Sequence, residues 1–155
     1  MTAPIQGTPK GAGRRVAVVV SRFNDLVTKK LLEGALAAFR KAGVAEGDVQ
    51  VVWVPGAWEI PVAARKLVAR NSCEGVVALG AIIQGETTHH EHLGREVAAS
   101  LMRLTEETGR PTAFGILTTD DLGKALARAG GEAGDKGADC ALALLETLDA
   151  LDQVK

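Results

Sequence analysis

There is no tyrosine in this chain of 155 residues, and aromatic residues make up only 3% of it. A surface that stacks the bases of a single strand on aromatic rings has too little to be built from. Net charge is nearly absent as well, with 18 Lys and Arg against 19 Asp and Glu. That balance gives no broad basic face for nucleic acid or for an anionic membrane. Only two cysteines occur, Cys73 and Cys140, and they form no CxxC pair. Such spacing argues against a zinc ribbon and suits a reducing compartment. No apolar stretch reaches the ~18 residues of a membrane span. The opening MTAPIQGTPKGAGRR places no apolar run before its charges, so it does not read as a secretory signal. The expectation is a cytoplasmic protein with neither nucleic acid nor membrane as partner.

What is present is a hydrophobic fraction of 46%, enough for one domain with a sizeable core. Residues 1–13 are rich in Gly, Pro and Thr and read as an extended arm, leaving residues 14–155 as a single domain. Short β-branched runs then alternate with amphipathic stretches. Strands are expected at residues 15–20, 48–56, 75–83 and 111–119. Helices are expected between and after them. The first has Leu32, Leu36 and Phe39 on one face, with Asn24 or Asp25 at its start and Gly43 at its end. Pro61 falls in the first turn of the second, where its missing N–H costs nothing. Leu93, Val97, Leu101 and Leu104 form the stripe of the third. A short helix and a long one close the chain. This alternation predicts an α/β fold, a four-stranded parallel sheet covered on both faces.

In such a sheet, ligands bind outside the carboxyl ends of the strands. Those ends read SRFN, VPGAWE, QGETTHHEH and LTTDD, each polar or unusual after an apolar run. All three histidines of the chain, His89, His90 and His92, fall in the third. Thr88 and Glu91 have capping-box spacing, which starts the third helix there. Backbone N–H groups near Glu86, Thr87 and Thr88 would then point outward with the positive end of the helix dipole, an anion site. His89 lies beside it, suited to proton transfer. His90 and His92 read as solvated helix-surface residues. A metal reading has His89 and His92 sharing a face, but no HExxH or Cys/His set supplies the further ligands. Phe23 is either core or a flat face for a planar ligand. Glu59 is either a dipole-favoured acid or a hydrogen-bonding partner for a polyol. Arg128 is either a helix C-terminal cation or a phosphate ligand. No GxGxxG, GxxxxGK[ST] or GxSxG occurs, so dinucleotide, P-loop and serine-hydrolase chemistry have no motif here.

Four segments stand in order: RFN at 22–24, VPGAWEIP at 54–61, GAIIQGETTHHEH at 80–92, and FGILTTDD at 114–121 with ALARAGGEAGDKG at 125–137. Together they closely resemble the lumazine synthase family, over nearly the whole chain from Arg15 onward. The resemblance implies a three-layer α/β/α sandwich of flavodoxin-like topology. It implies condensation of 5-amino-6-ribitylaminouracil with 3,4-dihydroxy-2-butanone 4-phosphate, the penultimate step of riboflavin synthesis, with no metal and no redox cofactor. By the same resemblance Phe23 stacks on the pyrimidine, and Ala57, Trp58 and Glu59 hold the ring and ribityl chain. Ala81, Ile82 and Ile83 line the pyrimidine slot. Glu86 and Thr87 offer N–H groups to the phosphate, and His89 transfers the proton. Phe114 arrives from a neighbouring subunit, and Arg128 pairs with the phosphate, supported by Lys136.

The chain departs from the family's usual pattern at Gln84, often basic, at Trp58, commonly Phe, at His90, commonly Phe or Tyr, and at Asp135, commonly Asn. A homo-oligomer is implied, with the pentamer as unit. The length of the turn at residues 129–139 matches members that pack twelve pentamers into an icosahedral shell. The arm would then pair along a neighbour's sheet edge. Riboflavin synthase is the further partner the resemblance raises. Two other readings stand beside it: a non-catalytic relative that binds a flavin or lumazine or builds a shell, and a metal-dependent hydrolase using His89, Glu91 and His92.

Overall fold

Burial on both faces shapes the sheet at the centre of the computed structural model, which describes Met1–Lys155. The strands are β1 (Val16–Ser21), β2 (Val49–Val54), β3 (Gly75–Ile83) and β4 (Thr112–Thr119). They are parallel and lie in the order β2-β1-β3-β4. Helices α1 (Asp25–Ala42) and α5 (Lys136–Gln153) cover one face, and α2 (Ile60–Ala69) and α3 (His89–Thr108) the other. Every residue of β1 is buried. Val16, Val18 and Val20 pack with Leu31, Phe39 and Leu144. Ala17 and Val19 pack with Ile60, Leu67 and Val97 on the opposite side. Two covered faces leave no polar alternation, which is why the run from Val16 to Val20 contains no solvent-facing position.

The order of the strands decides where a ligand can sit. The chain leaves β1 for β2 on one side, then crosses back to place β3 on the other. β1 and β3 are therefore neighbours from which the chain departs in opposite directions, the crevice where open α/β sheets bind ligands. Pairing between these two strands ends at Val20 and Leu79, whereas β3 continues with β4 as far as Ile83 and Thr119. Residues 81–83 thus extend past the end of β1 and leave a notch beside it.

Several local expectations are corrected. The buried line of α1 is Val27, Leu31, Ala35 and Phe39, not Leu32 and Leu36, which are only half-buried. The reason is close approach by α5. A Cβ on Gly137 would overlap the backbone of Leu31, and one on Gly34 would overlap the Asp135 carboxylate. Small residues, rather than large ones, mark that contact. Asn24 begins α1 in the left-handed region (φ 61°) but caps it with no side-chain hydrogen bond. The capping box at Thr88 and Glu91 is also not made, since the Thr88 side chain accepts no helix N–H. Thr87 Oγ1 accepts the His89 N–H instead, at 3.3 Å. Gly43 ends α1 in the left-handed region, as its position predicts.

After β4 come α4 (Leu122–Ala127) and a short antiparallel pair, β5 (Ala129–Gly131) and β6 (Gly134–Asp135). The sequence reads there only as a Gly-rich turn. Gly130 and Gly134 both have φ of 95°, which glycine adopts without penalty. Residues 1–13 contain no helix or strand and lie against α5 of the same chain. The Thr8 N–H donates to Asp149 at 2.8 Å, and Lys10 stands 4.0 Å from the same carboxylate. Arg14 reaches Asp152 at 2.6 Å and Glu74 at 2.9 Å.

Two outcomes follow from this packing. Gly137→Ala should destabilise the fold by about 1–3 kcal/mol, because backbone has to move to admit the methyl group. Gly47→Ala, where nothing lies within 4 Å of the added carbon, should be near neutral. Thermal midpoints of the two variants make the comparison. The second outcome concerns pH. The Thr8 N–H holds the Asp149 carboxyl below its ordinary value, against a smaller opposing effect of burial. A carboxyl lowered by folding contributes above its unfolded pKa and loses that contribution as pH falls through the folded one. Exchange protection of the Thr8 amide should persist at neutral pH and vanish below the usual carboxylate range, and Asp149→Asn should weaken it already at neutral pH.

Candidate active site

The notch at the end of β1 opens into a cavity of about 580 Å³. Its floor is the overhang of β3, Ala81, Ile82 and Ile83, of which Ala81 and Ile82 are buried. Asn24 closes one side. Its Nδ2 donates to the Ala81 carbonyl oxygen at 2.7 Å. The left-handed backbone of Asn24 turns the chain from β1 into α1 and aims the amide across the gap, where a ladder bond would otherwise be missing. Phe23, immediately before it, is thrown outward and is 72% exposed although strongly apolar.

A second wall comes from the 3₁₀ turn at Ala57–Glu59, which follows β2. Ala57 is buried and Trp58 is 63% exposed, so the indole stands at the rim. Glu59 does not line the cavity. Its Oε2 accepts the Gly56 N–H at 3.1 Å and holds the turn. The third wall is the turn at residues 85–88 and the start of α3. Here Thr87 and His89 line the cavity, and Glu86 is exposed outside it. The N–H groups of Gly85, Glu86, Thr87 and Thr88 find no acceptor within the chain, as expected ahead of a helix whose first donors have no partner.

The three imidazoles are not equivalent. The His89 ring makes no hydrogen bond within the chain; only its backbone N–H does, to Thr87 Oγ1. His90 Nδ1 lies 3.1 Å from the Thr87 carbonyl oxygen, and His92 Nε2 lies 3.5 Å from Thr88 Oγ1. The reading of His90 as a solvated surface residue is corrected: its side chain is only 13% exposed. Both His90 and His92 line the cavity, as do Leu93 and Glu96. The sequence carried a signal for the last three. Positions 92, 93 and 96 lie three, four and seven residues after His89, on one face of a helix. For Asn24 the signal is weaker, an Asn at a strand-to-helix turn where few other residues accept a left-handed backbone. Nowhere do three or more His, Cys, Asp or Glu side chains converge as a metal-ligand set.

Phe114 and Arg128 are in another place. They line a separate hollow of about 470 Å³ together with Thr118, Thr119 and Lys136. β4 is an edge strand of the sheet, and Phe114 on it is 42% exposed despite its apolar strand. The Arg128 guanidinium donates to the Lys124 carbonyl oxygen at 3.0 Å, and the Lys136 N–H donates to the Arg128 carbonyl at 2.8 Å. Nearby, Lys124 holds the exposed Asp120 carboxyl below its ordinary range through a 2.6 Å contact, with His90 a minor influence. One chain therefore carries two separate hollows. One holds Phe23, Ala57, Trp58, residues 81–83, Thr87 and His89, and the other holds Phe114, Arg128 and Lys136.

Known proteins resemble the chain from end to end. The 6,7-dimethyl-8-ribityllumazine synthase family matches residues 13–152. A protein of that name from Gemmatimonas aurantiaca is 48% identical over 151 residues, 97% of this chain and 92% of its own length. Another of the same name, from Pediococcus pentosaceus, is 43% identical over 143 residues, 92% of each chain. Matched along nearly all of its length by family and relatives alike, the chain belongs to the 6,7-dimethyl-8-ribityllumazine synthase family.

Proposed function

We propose that the chain condenses 5-amino-6-ribitylaminouracil with 3,4-dihydroxy-2-butanone 4-phosphate to give 6,7-dimethyl-8-ribityllumazine, phosphate and water. The observation that carries this reading is one cavity with an apolar floor, an exposed aromatic at each side, and a turn of unpartnered N–H groups next to an unbonded imidazole. Phe23 takes the face of the planar pyrimidine, and residues 81–83 meet its edge through their backbone. Ala57 and Trp58 flank the ribityl chain. Glu59, whose Oε2 lies 3.1 Å from the N–H of the lining residue Gly56, accepts from ribityl hydroxyls that extend beyond the cavity wall. Glu86 and Thr87 supply N–H groups to the phosphate. His89 moves the proton as the ring amine attacks the ketone, a Schiff base forms, and phosphate leaves. The first bond joins two separate substrates that must be held side by side, so proximity supplies most of the acceleration. A non-catalytic relative would need none of the free imidazole and free N–H groups that stand together here.

The second hollow supports a shared site. Phe114 caps, and Arg128 with Lys136 neutralises, a cavity belonging to a neighbouring subunit. The unit is then a ring, and we propose a pentamer, further packed as twelve pentamers into a shell. The compact β5–β6 hairpin, without added residues, favours that packing. To pair with a neighbour's sheet edge, the arm would exchange its contacts with its own α5. Riboflavin synthase is the protein such a shell would associate with. The two free, buried cysteines suit a cytoplasmic setting.

The direct test is lumazine formation, followed by absorbance, from the two synthetic substrates; no product would end the catalytic reading. His89→Ala should lower kcat by about 10²-fold or somewhat less, since proximity survives the loss of the proton shuttle. Arg128→Ala should raise the KM for the phosphorylated substrate about tenfold or more, the worth of a charge-assisted contact, and leave the pyrimidine KM nearly unchanged. Equal effects on both substrates would take Arg128 out of the phosphate role. Sedimentation at neutral pH should find particles far larger than a pentamer. A stable species of pentamer mass at every protein concentration would remove the shell.

A further inference from the structure

His90 occupies a position that the reaction as written does not use. Its ring is mostly covered, and Nδ1 faces the Thr87 carbonyl oxygen at 3.1 Å. A carbonyl only accepts, so Nδ1 carries hydrogen and donates. No backbone N–H reaches that oxygen, which makes the imidazole its one partner within the chain. The peptide unit is planar, so its C=O and N–H point in opposite directions. Holding the Thr87 carbonyl on the ring therefore turns the Thr88 N–H away from it, and that N–H, like those of Glu86 and Thr87, has no acceptor within the chain. Nε2 lies on the far side of the ring, 3.9 Å from the Glu91 carboxylate, and it makes no hydrogen bond within the chain.

We propose that His90 is a positioning residue: its Nδ1–H fixes the 87–88 peptide and presets the turn at residues 85–88 to receive the phosphate, while His89 alone transfers the proton. This rests on the reading of that turn as the phosphate seat. A phenyl ring at position 90 would fill the same space but hold no carbonyl. An Asn amide places its N–H where Nδ1 stands, whereas a Gln amide reaches the place of Nε2. The three replacements therefore separate filling, Nδ1 donation and Nε2 donation.

Steady-state kinetics on the assembled enzyme test this, with inorganic phosphate as a competitive probe. His90→Phe and His90→Gln should raise the KM for the phosphorylated substrate, and the Ki of inorganic phosphate, by about three- to tenfold, the scale of one hydrogen bond. The pyrimidine KM and kcat should stay close to wild type. His90→Asn should restore both phosphate-dependent constants. Rescue by Gln and not by Asn would overturn the proposal, as would a fall in kcat with the phosphate constants unmoved. If inorganic phosphate competes equally well against all four proteins, the turn binds phosphate without help from His90, and the proposal fails while the reading beneath it stands. If phosphate does not compete even in the wild type, the reading of the turn fails and takes the proposal with it.

Discussion

The site depends on the parting of β1 and β3. Two parallel strands that pair up to Val20 and Leu79 separate because β1 turns into α1 while β3 runs on beside β4. An unpaired backbone carbonyl inside a sheet is costly unless something meets it. Asn24 does so at Ala81, and the left-handed backbone that lets it reach also throws Phe23 outward. One residue thus closes the gap, starts a helix and exposes an aromatic ring. The cavity exists because the overhang of β3 is held there and not covered by more sheet.

The turn from β3 into α3 shows a similar economy. Thr87 and Thr88 do not cap the helix through a reciprocal box. They engage three neighbouring histidines, by backbone N–H at His89 and by ring nitrogen at His90 and His92. The consequence is one ring without a partner and two that brace the turn. A helix whose first donors are left open, beside a ring left open, is a place where an anion and a proton can be handled within a few ångströms. Asp120, after β4, and Lys124, in α4, are paired with each other and keep their charges outside the cavity.

The two hollows of one chain show why assembly and chemistry belong together in the proposed reading. β4 is an edge strand, and its outward residue Phe114 stays half-exposed. An apolar ring beside two cations, Arg128 and Lys136, is an odd surface for a lone subunit and a sensible lid for a cavity that carries N–H groups but no cation of its own.

What the sequence determined by itself is whatever repeats locally along the chain. Burial on both faces is written in the unbroken run of β1, and β3 is legible to its exact ends at Gly75 and Ile83. Strand ends carrying RFN, GAW and the histidine cluster gather on one rim because parallel strands must end on one side. Only the tertiary structure decided the rest. Which line of α1 is buried follows from how closely α5 approaches, so Ala35 and Gly34 matter where Leu32 and Leu36 were the larger candidates. The placement of Phe114 and Arg128 away from His89 follows from β4 lying at the sheet's edge, a lateral order that no local period encodes. The unequal surroundings of the three neighbouring histidines follow from the backbone path of the four residues before them. Neighbours in sequence there point to different partners, because a turn, unlike a strand or a helix, has no repeat from which direction can be read.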